Sequence, residues 1–321
     1  MSDKLPGLHH MTAIASDPQR NVDFYAGVLG LRLVKKTVNY DDPGTYHLYY
    51  GDALGRPGTI LTFFPWPGAF PGKHGLRQAT TTALRVPEGS LSWWQERLKD
   101  HAPTLSSRFG EQVLTFRDPD GLGLELVTRP GITAPEADAV WSGATVPAEY
   151  AISGMDGVTL TVAQREGTEA LLTQVLGFTL VGEEDGRLRY QAGDGIGGFA
   201  DVIVAPDAPS GRLGTGTVHH VAWRTPDDET ELEWRKQLLA LGFNVSPVMD
   251  RQYFHSIYFH EPGGVLFEIA TNPPGFTADG EAAETLGAVL QLPKWLEPQR
   301  AALEQRLTPL HLPTAAETVA A

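Results

Sequence analysis

Two pairs of adjacent histidines are the residues best placed to do chemistry. One opens the apolar stretch His9-His10-Met11-Thr12-Ala13-Ile14, and the other opens His219-His220-Val221-Ala222-Trp223. Glu268 follows the second pair as the lone acid in Gly264-Val265-Leu266-Phe267-Glu268-Ile269-Ala270. A carboxylate in an apolar strand must be paired or neutralised. Two imidazoles and one carboxylate, each on a strand, form a ligand set for one metal ion with positions left open. Non-haem Fe(II) in oxygenases uses that facial arrangement, and Zn, Mn or Ni accept the same donors. Consecutive strand residues point to opposite faces, so a regular strand offers only one histidine of each pair to a shared site.

The elements that must position these residues come from an internal repeat. Phe116-Arg117-Asp118-Pro119-Asp120-Gly121-Leu122-Gly123-Leu124-Glu125-Leu126 recurs as Phe259-His260-Glu261-Pro262-Gly263-Gly264-Val265-Leu266-Phe267-Glu268-Ile269, which puts Glu125 and Glu268 in the same place. Val28-Leu29-Gly30 likewise recurs as Val175-Leu176-Gly177. Each half doubles again, so four modules read strand, helix, then strands split by Gly and Pro turns. Their helices are expected from Asp17-Pro18 to Gly30, over Ser90–Asp100, over Gly167–Leu176 and over Asp228–Leu241. The fold expected is α+β, with four βαβββ modules in two tandem halves. The halves span 5–130 and 150–272, joined by a linker over 131–149. A tail over 273–321 carries a short helix near Glu297–Leu307, expected to pack across one sheet.

Bulk composition bounds the function. The 321 residues are 41% hydrophobic and 20% charged, as in a globular protein. A net charge of −14 opposes binding to nucleic acid, which needs clustered Lys and Arg. The absence of cysteine excludes disulfides and thiolate chemistry. The first residues do not read as a signal peptide, and no apolar run reaches the ~20 residues of a membrane span. A cytoplasmic protein acting on small molecules is expected.

Four strings carry a family likeness: Leu8-His9-His10-Met11-Thr12, Tyr46-His47-Leu48-Tyr49-Tyr50-Gly51-Asp52, Phe63-Phe64-Pro65-Trp66-Pro67 and Thr217-Val218-His219-His220-Val221-Ala222. With these strings and the module pattern, the chain over residues 5–272 resembles the vicinal oxygen chelate superfamily. That superfamily includes glyoxalase I, extradiol dioxygenases and bleomycin-resistance proteins. Within it the chain resembles the branch of hydroquinone-type ring-cleaving dioxygenases, the chlorohydroquinone 1,2-dioxygenases among them.

The resemblance implies modules that join in pairs into open, incomplete β-barrels with helices outside. It puts metal ligands at a first-strand His and a last-strand Glu of paired modules, and it selects the second histidine of each pair. Pairing module one with two, and three with four, would give two sites of two ligands each. Pairing one with four gathers His10, His220 and Glu268 and leaves two and three as a scaffold, with Glu125 a structural acid. The implied metal is Fe(II), with Mn(II) the nearest competitor. The implied substrates are an aromatic small molecule, a hydroquinone or substituted hydroquinone, and O2. Arg251 and Tyr258 match the family's cation and phenol beside the metal, with His219 and Thr12 also close and His9 a weaker candidate. His219 is the expected acid–base group, since an unperturbed imidazole titrates near neutrality. The segment from Phe63 to Gly72 could wall or lid the pocket. The competing readings are a glyoxalase-like lyase or isomerase, which usually assembles four protein ligands, and a non-enzymatic binder. Pairing of sheet edges would allow a homo-oligomer.

Overall fold

The computed structural model describes residues 4–314. Module one comprises β1 (Leu8–Ala15), α1 (Pro18–Val22), β2 (Arg32–Val38), β3 (Tyr46–Gly51) and β4 (Ile60–Pro65). Module two comprises β5 (Gln78–Arg85), α2 (Leu91–Arg97), β6 (Thr104–Arg108), β7 (Glu111–Arg117) and β8 (Gly123–Thr128). Module three follows with β9 (Gly154–Val162), α3 (Glu166–Ala170), β10 (Thr179–Glu184), β11 (Arg187–Gln191) and β12 (Phe199–Val204). Module four closes with β13 (Thr217–Thr225), α4 (Asp228–Ala240), β14 (Met249–Asp250), β15 (Phe254–His260) and β16 (Leu266–Pro274), and α5 (Arg300–Arg306) lies in the tail.

The α+β fold consists of two eight-stranded sheets. Their strand orders are β14-β15-β16-β13-β1-β4-β3-β2 and β10-β11-β12-β9-β5-β8-β7-β6. Modules one and four, from the two ends of the repeat, therefore share one sheet, and modules two and three share the other. The first sheet is joined where β1 runs antiparallel to β13, with His10 opposite Ala222 and Thr12 opposite His220. β16 lies parallel to β13, with Glu268 beside Ala222. Cross-strand neighbours project from the same face. This register therefore brings residues more than two hundred positions apart onto one concave surface.

Local chemistry sets the helix starts. Asp17 caps α1 by accepting from Arg20 N, with Pro18 at the first helical position, and Asp227 caps α4 by accepting from Thr230 N. α1 and α3 each continue as a π-type turn, over Asp23–Val28 and Leu171–Val175, before the repeated Leu-Gly. Gly30 and Gly177 end those turns with φ of +70° and +79°, and a Cβ at Gly30 would lie 2.6 Å from Val146. Glycine is required there for both reasons. The tail lies against the first sheet. Its Asp279 and Glu281 reach the fully buried Lys35 ammonium at 2.7 and 2.6 Å.

One buried acid on α4 is unpaired. Neither carboxyl oxygen of Glu231 has a hydrogen-bond partner, and burial pushes its pKa up to about 7. A raised carboxyl pKa favours the folded state only while the group is protonated. That contribution is complete below the unfolded value near 4.5 and is lost as pH rises through about 7. Glu231→Gln should therefore match the wild type in stability at pH 4.5. It should exceed it at pH 8 by about 1 kcal/mol, after allowing for solvent screening. Urea midpoints at the two pH values check this, and an equal gain at both would refute it.

Candidate metal centre and its pocket

His10, His220 and Glu268 meet on the concave face of the first sheet, all three buried. His10 Nε2 lies 3.3 Å from His220 Nε2 and 3.3 Å from Glu268 Oε2, and His220 Nε2 lies 2.9 Å from the same oxygen. A triangle of that size allows all three atoms to sit about 2 Å from one point, the length of metal–nitrogen and metal–oxygen bonds. Ser256 Oγ donates to Glu268 Oε1, while Oε2 is buried with no hydrogen bond directed at it. That orphaned oxygen, aimed at two imidazole nitrogens, fits a cation held between them. Among the described residues this is the one group of three or more His, Asp and Glu ligand atoms so gathered. Burial alone would raise the pKa of Glu268, but the two imidazoles outweigh it and hold the carboxyl well below its usual range.

The partner histidines contribute in a way that strict alternation does not foresee. A register shift between Leu8 and His10 interrupts the regular ladder. His9 Nδ1 lies 2.9 Å from His10 Nδ1, and His219 Nδ1 lies 2.8 Å from His220 Nδ1. An imidazole that offers its Nε2 lone pair to a metal carries its proton on Nδ1. His10 and His220 then donate from Nδ1 to His9 and His219, which must carry their own protons on Nε2. Such outer partners fix ligand tautomer and ring orientation. Burial, reinforced by the adjacent imidazole, lowers both His9 and His219 to about 3. His219 is thus neutral in this setting, and the near-neutral titration that singled it out does not survive burial.

A cavity of about 300 Å³ opens above this group, with His10 and His220 in its lining. His47, Tyr49, Phe64, Trp66, Phe254 and Tyr258 form much of its wall, with Arg251 at one side. Phe64 and Trp66 come from the expected wall segment, whereas Phe70 of that segment is exposed. Arg251 Nε donates to Tyr258 Oη at 3.1 Å, at the wall of the cavity. The guanidinium also pairs with Asp41 at 3.5 Å rather than with Asp250. Asp42 accepts from Trp66 Nε1 at 3.0 Å, so the β2–β3 loop is tied across the cavity mouth at two points. Thr12 stands beside His220 in the sheet and bonds Thr62 Oγ1 at 2.8 Å.

Sequence reasoning did not find Ser256, Asp41, Asp42, Tyr49 or Phe254. Alternation from Tyr258 puts Ser256 on the same strand face, and that signal was available. His255 pairs with Asp228 at 2.7 Å, away from the cavity, and His260 is exposed. His74 lies 3.1 Å from Gly121 O and His101 packs against Phe24, both away from the three residues.

Comparison with known proteins agrees with the architecture. The family model described as Glyoxalase/Bleomycin resistance protein/Dioxygenase superfamily matches residues 7–126 and 154–269, and the chain belongs to that superfamily. The chain is 49% identical over 315 residues to MhqO of Bacillus subtilis, named as a ring-cleaving dioxygenase, covering 97% of this chain and 99% of that one. It is 36% identical over 307 residues to a chlorohydroquinone/hydroquinone 1,2-dioxygenase of Sphingobium indicum, covering 92% and 94%. A crystal structure named as a dioxygenase of Bacillus subtilis superposes with a TM-score of 0.90 at 48% identity, covering 97% of this chain and 99% of that chain. No helix among the described residues is long and apolar enough to cross a membrane.

Proposed function

We propose that this chain is an Fe(II)-dependent ring-cleaving dioxygenase that opens hydroquinone or a substituted hydroquinone with O2. The observation that carries the reading is the convergence of His10, His220 and Glu268 at the base of an aromatic-walled cavity. The relatives named as ring-cleaving dioxygenases, one of them for hydroquinones, support it. His10, His220 and Glu268 would hold a divalent iron, which when bound would supply the electron transfer between a phenolate and O2. Both oxygen atoms enter the product. The bond between a hydroxyl-bearing ring carbon and its neighbour breaks, and hydroquinone gives a carboxylic acid and an aldehyde.

The remaining roles fall to the chain's own groups. Phe64, Trp66 and Phe254 hold a flat ring and exclude water. Tyr258 donates its O–H to a substrate oxygen, and Arg251 opposes the negative charge that gathers there. His9 and His219 keep the ligating imidazoles in the required tautomer.

The test is oxygen consumption by protein loaded anaerobically with Fe(II), given hydroquinone, methylhydroquinone or catechol beside a His220→Ala control. Uptake that requires iron, hydroquinone and His220 and yields a ring-opened acid is the expected result. Stoichiometric metal without uptake on any of the three substrates would overturn the reading in favour of lyase or isomerase chemistry.

A further inference from the structure

A chain of hydrogen bonds crosses three adjacent strands beside the metal centre. Tyr49 Oη lies 2.8 Å from His47 Nδ1, His47 Nε2 lies 2.8 Å from Thr62 Oγ1, and Thr62 Oγ1 lies 2.8 Å from Thr12 Oγ1. Register explains why they meet. Tyr49 is opposite Thr62, Thr62 is beside Thr12, and Thr12 is opposite His220, so the four residues form one row across β3, β4, β1 and β13. Thr12 and Thr62 are fully buried, and His47 and Tyr49 face the cavity. Burial, more than any neighbour, holds the His47 imidazole neutral and the Tyr49 phenol protonated.

Counting protons gives the chain a property its members lack singly. A neutral imidazole has one N–H and one bare nitrogen, and each hydroxyl has one proton. Three hydrogen bonds use three of the four protons, so one O–H is left over at one end. In one polarity Tyr49 donates to Nδ1, Nε2–H donates to Thr62, Thr62 donates to Thr12, and the spare proton is on Thr12. In the other polarity every bond is reversed and the spare proton is on Tyr49. Reversal takes one proton in at one end and releases one at the other. No member is charged before or after, which suits a site too buried to hold an unpaired charge.

We infer that Thr12, Thr62, His47 and Tyr49 form a neutral proton relay between the His220 side of the metal centre and the tyrosine wall of the cavity. It rests on the dioxygenase reading, whose chemistry must remove a phenol proton and return one to an oxygen of the reacting group. His47 and Thr62 are then positioning residues that act through the hydroxyls at the two ends.

Thr62 is the residue to change, because Thr62→Val keeps the shape and removes the link, whereas Thr62→Ser keeps the link. With Fe(II) and hydroquinone, Thr62→Val should bind metal stoichiometrically and keep its KM, but lose about 10²-fold in kcat. Thr62→Ser should restore turnover. Rates in mixtures of H2O and D2O should show several protons in flight for the wild type and the Ser variant, but not for the Val variant. A Val variant with wild-type kcat and isotope response would overturn the relay. A second readout needs no turnover: ¹⁵N-histidine spectra of the zinc-loaded protein. His47 should be neutral, with the same ring-nitrogen shifts in the wild type and Thr62→Ser, and Thr62→Val should move its Nε2 resonance, because that nitrogen loses its partner in either polarity. An unchanged His47 spectrum would also overturn the relay. Wild-type protein that takes up no oxygen would remove the dioxygenase reading alone, and these spectra would still decide the hydrogen-bonded chain.

Discussion

Glu268→Gln is expected to leave a folded protein that no longer retains metal. The carboxamide has nearly the carboxylate's shape and can still accept from Ser256, so packing at the site changes little. What it lacks is the anionic oxygen that stands 2.9 and 3.3 Å from the two imidazole nitrogens. Loss of an outer partner to a ligand typically costs 10–100-fold in metal affinity or activity, and loss of the ligand itself should exceed the upper figure. Thermal unfolding separates this from simple destabilisation. A bound metal stabilises the wild type by about 2.7 kcal/mol at a hundredfold excess over Kd. The same metal should shift the variant's transition little, while the two metal-free proteins unfold at similar temperatures. A variant with a wild-type metal shift would show that Glu268 is not a ligand.

The candidate ligands were legible because the repeat exposed them. Glu268 is an acid in an apolar strand, its copy Glu125 fixes the frame, and only module four carries both a histidine pair and that acid. Pairing of modules one and four depended on counting donors, and the sheet order agrees with it. The limits have physical causes. Alternation did not foresee the contact of His9 with His10, because the ladder shifts register between Leu8 and His10, and no residue type announces such a shift. The π-type turns after α1 and α3 involve the same residue types as an α-helix, so periodicity extended the helices through them. His47 and Tyr49 share a strand face in the sequence, yet their partner Thr62 lies on a strand that reads only as apolar. Proximity of that kind belongs to tertiary register, as does the burial of Lys35 under the tail.

The second sheet shows what the same frame becomes without imidazoles, and it supports the other large prediction. There Glu125 lies beside Ala83, and Ala83 opposite Gly157, as Glu268 lies beside Ala222 and Ala222 opposite His10. Gly157 thus occupies the place of His10, and Thr81, opposite Thr159, occupies that of His220. The buried Glu125 carboxylate meets a guanidinium instead: Arg108 Nη1 donates to Oε1 at 3.0 Å and Nη2 to Oε2. A fixed side-chain cation stands where the first sheet offers open ligand atoms, so this half holds its acid without a metal. Arg108→Met should therefore destabilise the protein by about 3–5 kcal/mol, because it leaves a buried carboxylate unpaired. The double variant Arg108→Met with Glu125→Leu should recover most of that loss, since both charges leave together. Metal binding at His10, His220 and Glu268 should be unchanged in the double variant. Guanidinium midpoints for the two single variants and the double decide the matter. A loss below about 1 kcal/mol for Arg108→Met would mean that water or Arg187 and Arg189, already bound to Asp201, can take over the acid.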